Sequence, residues 1–370
     1  MIEIDAAQAA LNGIPVVNIP ANLLGALSSG RRMASILGDV VMLRRGPGRL
    51  TPQEYFYYRL WDPALAAAEK RKFVGKQAQH PMHMACNHTR WYATAADKLL
   101  FHTVITGAGL PTPTLLGTTG SNRGPTGVPN LGNVALVANF LREPAHYPFF
   151  AKPIDGKYSL AVLSADAYDA ETDQVCLRGE GGQAVESIAN EIISSTTGFL
   201  IQRRLEPHPD LARAFGLALW SARLIVLITA SGPIVHRCVA KIATGTNPAD
   251  NFWRPGNLLG NIDLKTGTIT RAVRGTAADT VINPPHPDTA HPIVGTVIPD
   301  WQGLLDLVAT AARVLPGIRT QSWDVALTDT GPVLLEVNFG GDLNLPQLAS
   351  GEGMLDQVYR KHLLRCGYRF

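Results

Sequence analysis

The run from Ser322 to Gln347, SWDVALTDTGPVLLEVNFGGDLNLPQ, constrains this chain more than any other stretch. Asp329-Thr330-Gly331 is a turn signal between two alternating, apolar-rich runs, which predicts a β-hairpin with a three-residue loop. With Thr328 facing Pro332 across the turn, counting back along both strands sets Asp324 opposite Glu336, and Asn338 follows on the same face. Two carboxylates and an amide oxygen then line one face, while Val325, Leu327, Val333, Leu335 and Val337 supply core. Directly opposed residues of an antiparallel pair have Cβ atoms roughly 4.5 to 5.5 Å apart, and like charges at that distance repel. Either one carboxyl takes up a proton or a cation sits between the two. Three hard oxygen ligands with no Cys or His among them suit Mg²⁺ or Mn²⁺. On this reading Asp324→Asn and Glu336→Gln each relieve the repulsion and leave the fold intact. The plainer alternative is a surface hairpin with scattered acids, and a register slip of one residue would put the two carboxylates on opposite faces.

The remainder narrows the class. A chain of 370 residues, 46% hydrophobic, can bury a large core and divides into two or three compact units. Charged residues make up 17% and the net charge is +3, with no long Lys/Arg run, which argues against nucleic acid as the main partner. The longest apolar runs, such as Leu224 to Thr229, fall short of the roughly 20 residues of a membrane helix. The first residues, MIEIDAAQAA, carry acids where a signal peptide is basic, so a soluble, cytoplasmic protein without a membrane partner is expected. Cys86, Cys176, Cys238 and Cys366 show no C-x-x-C spacing and read as ordinary buried thiols. The ligand-rich run His80 to His88 contains Pro81 and has no second cluster, so it reads as a loop, not a metal site.

Along the chain, residues 1–94 read as helical. Leu23 to Leu43 places Met33, Ile36, Leu37, Val40 and Val41 on one helical face, and Thr51-Pro52-Gln53-Glu54 is a capping box opening a helix through Leu60. Tyr55, Phe56, Tyr57, Tyr58 and Trp61 form a packing cluster. A helix from Ala95 to Gly107 carries Asp97 and Lys98. Strands follow at Thr114 to Gly117, Phe149 to Pro153 and Leu160 to Ser164, helices at Asn133 to Leu141 and Gln183 to Thr197, and a strand at Phe199 to Arg203. Arg223 to Thr229 and Pro233 to Ala243 make a second hairpin, and Trp301 to Leu315 is a helix packing on the first. Lys152 lies in an apolar strand between Phe150 and Ile154, where a cation costs free energy unless it meets phosphate or carboxylate. The turn after it, Asp155-Gly156-Lys157-Tyr158-Ser159, offers backbone N–H groups, a hydroxyl and a second lysine for phosphate oxygens.

The order of these parts resembles the ATP-grasp superfamily. The motifs are Asp97-Lys98 on a helix, a Gly109-Leu110-Pro111-x-Pro113 exit, Ala151-Lys152-Pro153, Gln202-Arg203-Arg204-Leu205, and a late Asp324 with Glu336-x-Asn338, spanning about Ala95 to Gly353. Arg223, Asn251, Gly260, Asp263, His286-Pro-Asp288, Pro299-Asp-Trp301 and Trp323-Asp324-Val325-Ala326 look like the sugar-transfer-associated subgroup. The resemblance implies an α+β ATP-grasp fold, two lobes clasping ATP between antiparallel sheets behind a helical N-terminal segment. The implied units are residues 1–94, 95–200 and 201–370. It implies that Lys98 and Lys152 hold ATP phosphates, with Lys157 and Ser159 reaching from the turn. Gln202, Arg203 and Leu205 fall where the backbone reads adenine, with Gln202 where Glu is commoner, and Glu206 or Asp210 meets the ribose. Asp324, Glu336 and Asn338 match the magnesium ligands.

By resemblance, the expected chemistry is that of an ATP- and Mg²⁺-dependent ligase joining a small-molecule carboxylate to an amine through an acyl phosphate. Arg223 and Lys241, on strands leading to the metal face, are the candidates for the carboxylate and for the γ-phosphate or oxyanion; surface charges on a hairpin are the alternative. A small-molecule or sugar kinase on the same scaffold and a non-catalytic partner in polysaccharide assembly are the rival functions, and a homodimer is allowed. The helical N-terminal unit, in place of the family's common α/β pre-domain, leaves the acceptor surface unassigned, and the turn at Asp155 to Leu160 has fewer glycines than usual.

Overall fold

The computed structural model describes residues 17–120, 124–156 and 161–370. Lys157, Tyr158, Ser159 and Leu160 lie outside the described residues, so most of the turn after Lys152 and the strand start at Leu160 are not placed. Two antiparallel sheets organise the chain. Among the described residues no helix is long and apolar enough to cross a membrane.

The N-terminal segment is helical: α1 (Ile19–Ser28), α2 (Met33–Arg45), α3 (Pro52–Tyr57), α4 (Ala67–Lys70) and α5 (Lys76–Cys86). The single face predicted over Leu23 to Leu43 is instead two helices, because Gly30 turns the chain at φ +88. In α2 Ile36 and Leu43 are buried, whereas Met33, Leu37 and Val41 are exposed. The capping box forms: Thr51 Oγ1 accepts from Glu54 N at 3.2 Å and Thr51 N donates to Glu54 Oε2 at 2.7 Å. The run His80 to Cys86 is the body of helix α5, not a loop. Pro81 removes one intrahelical donor, but Ala78, Gln79, Met82 and Cys86 bury one face of the helix, and that packing overrides the local signal.

After α6 (Tyr92–Ala96), Asp97 caps α7 (Lys98–Gly107), accepting from Leu100 N at 2.9 Å. The first sheet runs β1-β6-β2-β3-β4-β5, from β1 (Leu115–Thr118), β2 (Phe149–Pro153), β3 (Leu163–Asp169), β4 (Gln174–Leu177), β5 (Gly181–Ala184) and β6 (Phe199–Arg203). Helices α8 (Val134–Leu141) and α9 (Val185–Ser194) cover one face. Val185, Ile188, Ala189 and Ile192 recur at helical spacing and pack on Phe149, Ala151 and Ile201. Because β6 bonds wholly within this sheet, the boundary expected between residues 200 and 201 falls inside a strand.

Past α10 (Pro209–Phe215), the second sheet runs β11-β10-β9-β8-β7-β12-β13. Its strands are β7 (Ser221–Thr229), β8 (Gly232–Ile242), β9 (Leu258–Ile262), β10 (Ile269–Arg274), β11 (Val281–Ile282), β12 (Thr320–Thr328) and β13 (Gly331–Phe339). One face packs on α11 (Trp301–Val314) through Leu304, Val308, Ala311 and Ala312, a strip of i, i+4, i+7 and i+8 positions set against Trp323 and Val325. The other face is covered by the N-terminal helices and α12 (Asn344–Ser350): Tyr55, Phe56, Tyr57 and Trp61 share a core with Val239, Leu259, Val273 and Leu345. The last helix, α13 (Gln357–Arg365), packs with α5 around Met82, Tyr359 and Leu363. The N-terminal segment is thus built into the second lobe.

Candidate functional site

The hairpin β12–β13 reaches the predicted pairing by a different route. Its loop is two residues, Asp329 and Thr330, with Thr328 opposite Gly331 and Val325 opposite Leu334. Continued without interruption, that register would have set Asp324 against Leu335. A β-bulge between the Asp324 and Val325 pairings restores Asp324 opposite Glu336. Leu334 therefore enters the core in place of the predicted Leu335, which lines the cleft beside Glu336.

The Asp324 carboxylate is met by buried cations from the neighbouring strands. On the other side of β12, Arg223 is the direct cross-strand partner of Asp324. Its Nε donates to Asp324 Oδ1 and its Nη2 to Oδ2, both at 2.6 Å, while Lys241 Nζ donates to Oδ2 at 3.0 Å. Lys241 also bridges to Asp250 Oδ1 at 3.0 Å, and Ser221 Oγ donates to Asp250 Oδ2. Side-chain exposure is 3% for Asp324, 13% for Arg223 and 8% for Lys241. The four charges balance within the network, which is what makes their burial tolerable. Burial alone would raise the Asp324 carboxyl, but Arg223 and then Lys241 hold it well below the ordinary carboxylate range. Burial likewise opposes the charge on Arg223 and Lys241. Asp324 more than offsets it for the first, Asp250 and Asp324 for the second, so both cations lie above their ordinary values. Arg223 and Lys241 are accordingly neither surface charges nor cations left wholly free for substrate.

Glu336 stands apart from this network. Its side chain is 32% exposed, it accepts from Asn338 Nδ2 at 3.3 Å, and it lies 4.0 Å from Arg223 Nη2. Glu336 and Asn338 open into a cleft of about 530 Å³ that both sheets line, a size suited to a nucleotide-scale ligand. From the first lobe Lys98, Lys152, Gln202, Arg203 and Leu205 reach it; from the second come Arg223, Lys241, Asp324, Glu336 and Asn338. Lys98 Nζ donates to the carbonyl of Gly156. The Arg203 guanidinium is held by the carbonyls of Tyr147 at 2.9 Å and Ala145 at 3.1 Å. Asp210 is exposed on α10, bonded by Arg213 at 3.0 Å, and is not among the residues lining the cleft.

Lys152 is pushed down to about 8, first by its loss of solvent, with Glu336 across the cleft opposing the shift. An ordinary lysine titrates at 10.5, so between those pH values the unfolded chain holds more protons, and stability rises with pH. Below about 8 the charged side chain is a constant cost to the free protein. Lys152→Met is therefore expected to raise the thermal midpoint near neutral pH by about 2 to 6 °C, a gain that shrinks as pH rises above 8. Thermal scans across that range check it; an unchanged midpoint near neutrality, or a gain that grows with pH, refutes it.

Sequence reasoning missed a contribution from the N-terminal segment. Lys76 and His83, seven positions apart and so on one face of α5, also line the cleft. Lys76 Nζ pairs with Asp342 Oδ1 at 3.0 Å. Burial, and then Lys76, lowers His83 to about 4, so its ring is neutral. Gly340, at φ +95, permits this approach, since a Cβ there would lie 2.1 Å from His83 Nδ1. The i, i+7 spacing was the available signal, hidden by reading the run as a loop.

Among solved structures the chain is similar to the ATP-grasp ligase PsnB complexed with minimal precursor, at 16% identity over 76% of this chain and 64% of that one, with a TM-score of 0.41. It is also similar to D-alanine–D-alanine ligase from Bacillus anthracis complexed with ATP, at 9% identity over 76% and 68%, with a TM-score of 0.39. A third is the ADP complex of N5-carboxyaminoimidazole ribonucleotide synthetase, at 12% identity over 66% and 45%, with a TM-score of 0.38. The chain thus spans about half to two thirds of these solved chains. No curated protein matches. Residues 77–361 match the family described as sugar-transfer associated ATP-grasp, well over half of the sequence, and the chain belongs to that family.

Proposed function

We propose that this protein is an ATP- and Mg²⁺-dependent ligase that joins a small-molecule carboxylate to an amine through an acyl phosphate. The observation that carries the reading is the opposition across one cleft of Lys98 and Lys152 from the first lobe to Asp324, Glu336 and Asn338 from the second. The lysines supply positive charge for nucleotide phosphates, and Gln202 to Leu205 the inter-lobe segment against which adenine lies. Glu336 and Asn338 provide hard oxygens, and Asp324 Oδ1, which accepts from Arg223 Nε, keeps a second acceptor site. The donor set fits Mg²⁺ or Mn²⁺. When bound, the ion supplies charge neutralisation at the transferring phosphoryl group.

The chain's own residues do the rest. Arg223 and Lys241 fix the Asp324 carboxylate, and Nη1 of Arg223, outside the bidentate pair, is the group left for a substrate oxyanion. Neutral His83, on the N-terminal helix, lines the same cleft. Two lobes closing on the cleft exclude water, which an acyl phosphate requires.

Incubation with Mg·ATP and pools of acids and amines, read by mass spectrometry with hydroxylamine as a trap, tests this. Free phosphate, ADP and an amide, or a hydroxamate in the trapped reaction, are expected. A stable phosphate ester without free phosphate would make the protein a kinase instead; no ATP consumption with any pool would favour a non-catalytic binding role.

A further inference from the structure

Outside the cleft, three potential ligand residues from distant parts of the sequence converge. One ligand atom each from Cys86, His362 and Cys366 lies within 4.8 Å of the others. His362 and Cys366 are four residues apart and so project from one face at the end of α13, and Cys86 is the last residue of α5. Cys86 and His362 are buried. Thr320, the first residue of β12, brings its Oγ1 to 2.9 Å from His362 Nε2. Two sulfurs and a nitrogen therefore come together, with a hydroxyl oxygen beside the nitrogen.

We propose that Cys86, His362 and Cys366 hold a single thiophilic d¹⁰ cation, with Zn²⁺ as the representative, and that this ion fastens the C-terminal helix α13 to the end of α5. Zinc bonds of about 2.3 Å to sulfur and about 2.0 Å to nitrogen set the S···N edge of a tetrahedron at about 3.6 Å. Cys366 Sγ stands 3.7 Å from His362 Nε2. A cation beside a cysteine favours thiolate, the ligating form. Arg319 sends its guanidinium to the carbonyls of Cys86 at 2.7 Å, Ala85 at 2.9 Å and Cys366 at 3.5 Å, joining the two ligand-bearing helix ends and placing a cation beside both sulfurs. Soft sulfur donors do not suit Mg²⁺, which separates this site from the one in the cleft. Helix α5 also carries Lys76 and His83 into the cleft, so the ion would steady one wall of it.

The test uses the full chain, purified under reducing conditions, stripped with chelator and titrated with Co²⁺. One equivalent is expected to produce thiolate-to-cobalt charge-transfer absorbance and the intense visible bands of tetrahedral cobalt, both abolished by Zn²⁺ and unaffected by excess Mg²⁺. Cys366→Ser, at the partly exposed position, is expected to lose at least about 100-fold in Zn²⁺ affinity and to lose the zinc-dependent rise in thermal midpoint, while remaining folded by circular dichroism. Absence of the charge-transfer band in the wild-type chain overturns the proposal. So does a band that persists in Cys366→Ser, or a Cys86–Cys366 disulfide in intact-mass measurements on protein prepared without reductant.

Discussion

Replacing Asp324 with Asn is expected to cost about 3 to 5 kcal/mol of stability, a fall of about 4 to 6 °C in thermal midpoint, besides abolishing turnover. Read from the hairpin alone, the substitution relieves a repulsion and should spare the fold. The structure reverses that expectation, because Asp324 is the shared counter-charge of two buried cations, Arg223 and Lys241. An amide in its place leaves the pair with Asp250, bonded to Lys241, and the more distant Glu336, 4.0 Å from Arg223 Nη2. The pH dependence carries a sign as well. A carboxyl held below its ordinary value contributes stability that is complete above the unfolded pKa of about 3.8 and is lost as pH falls toward the folded value. Wild type should therefore lose stability more steeply than Asp324→Asn on acidification below about pH 4. Denaturant titrations over that range measure both effects, and a variant as stable as wild type at neutral pH would show that the network contributes nothing.

Glu336→Gln is expected to do the opposite: turnover falls by about 10²- to 10³-fold while the midpoint stays within about 2 °C of wild type. Glu336 is partly exposed, is outside the balanced network and bonds only weakly to Asn338, so removing its charge strands no buried cation. The glutamine keeps an oxygen that can accept from Asn338 but lacks the charge that draws a hard divalent ion. Steady-state ATP turnover across a magnesium titration separates the outcomes. A kcat near wild type at saturating magnesium removes Glu336 from the metal site. The two neighbouring carboxylates, alike on paper, thus differ in burial and in partners.

Local patterns settled a good deal. Apolar strands with a single lysine, as at Phe149 to Pro153, and strands ended by polar runs, as at Phe199 to Arg203, appear with those bounds, because alternation and β-branched or aromatic content act over a few residues. The capping box at Thr51 and the amphipathic spacing of α11 are equally local, and both form. The motif order across Ala95 to Gly353 carried the fold, since each motif is a short run whose chemistry does not depend on its neighbours. The pairing of Asp324 with Glu336 was reached through two offsetting errors: the loop is one residue shorter than read, and a bulge that no alternation pattern announces restores the register.

What only the tertiary structure decided is which charges meet. Nothing in Ala222-Arg223-Leu224 or Ala240-Lys241-Ile242 says that both cations converge on one carboxylate, because that requires strands β7, β8 and β12 to be laid side by side in a fixed register. The same holds for helix α5. Pro81 argues against a helix over any short window, and burial of Ala78, Met82 and Cys86 against distant residues prevails, turning Lys76 and His83 toward the cleft and Cys86 toward Cys366. Sequence periodicity reports the preferences of a segment of a few residues. Long-range charge pairing and ligand convergence arise only when loop closure has been offset by core burial, and their geometry belongs to the packed molecule and not to any stretch of it.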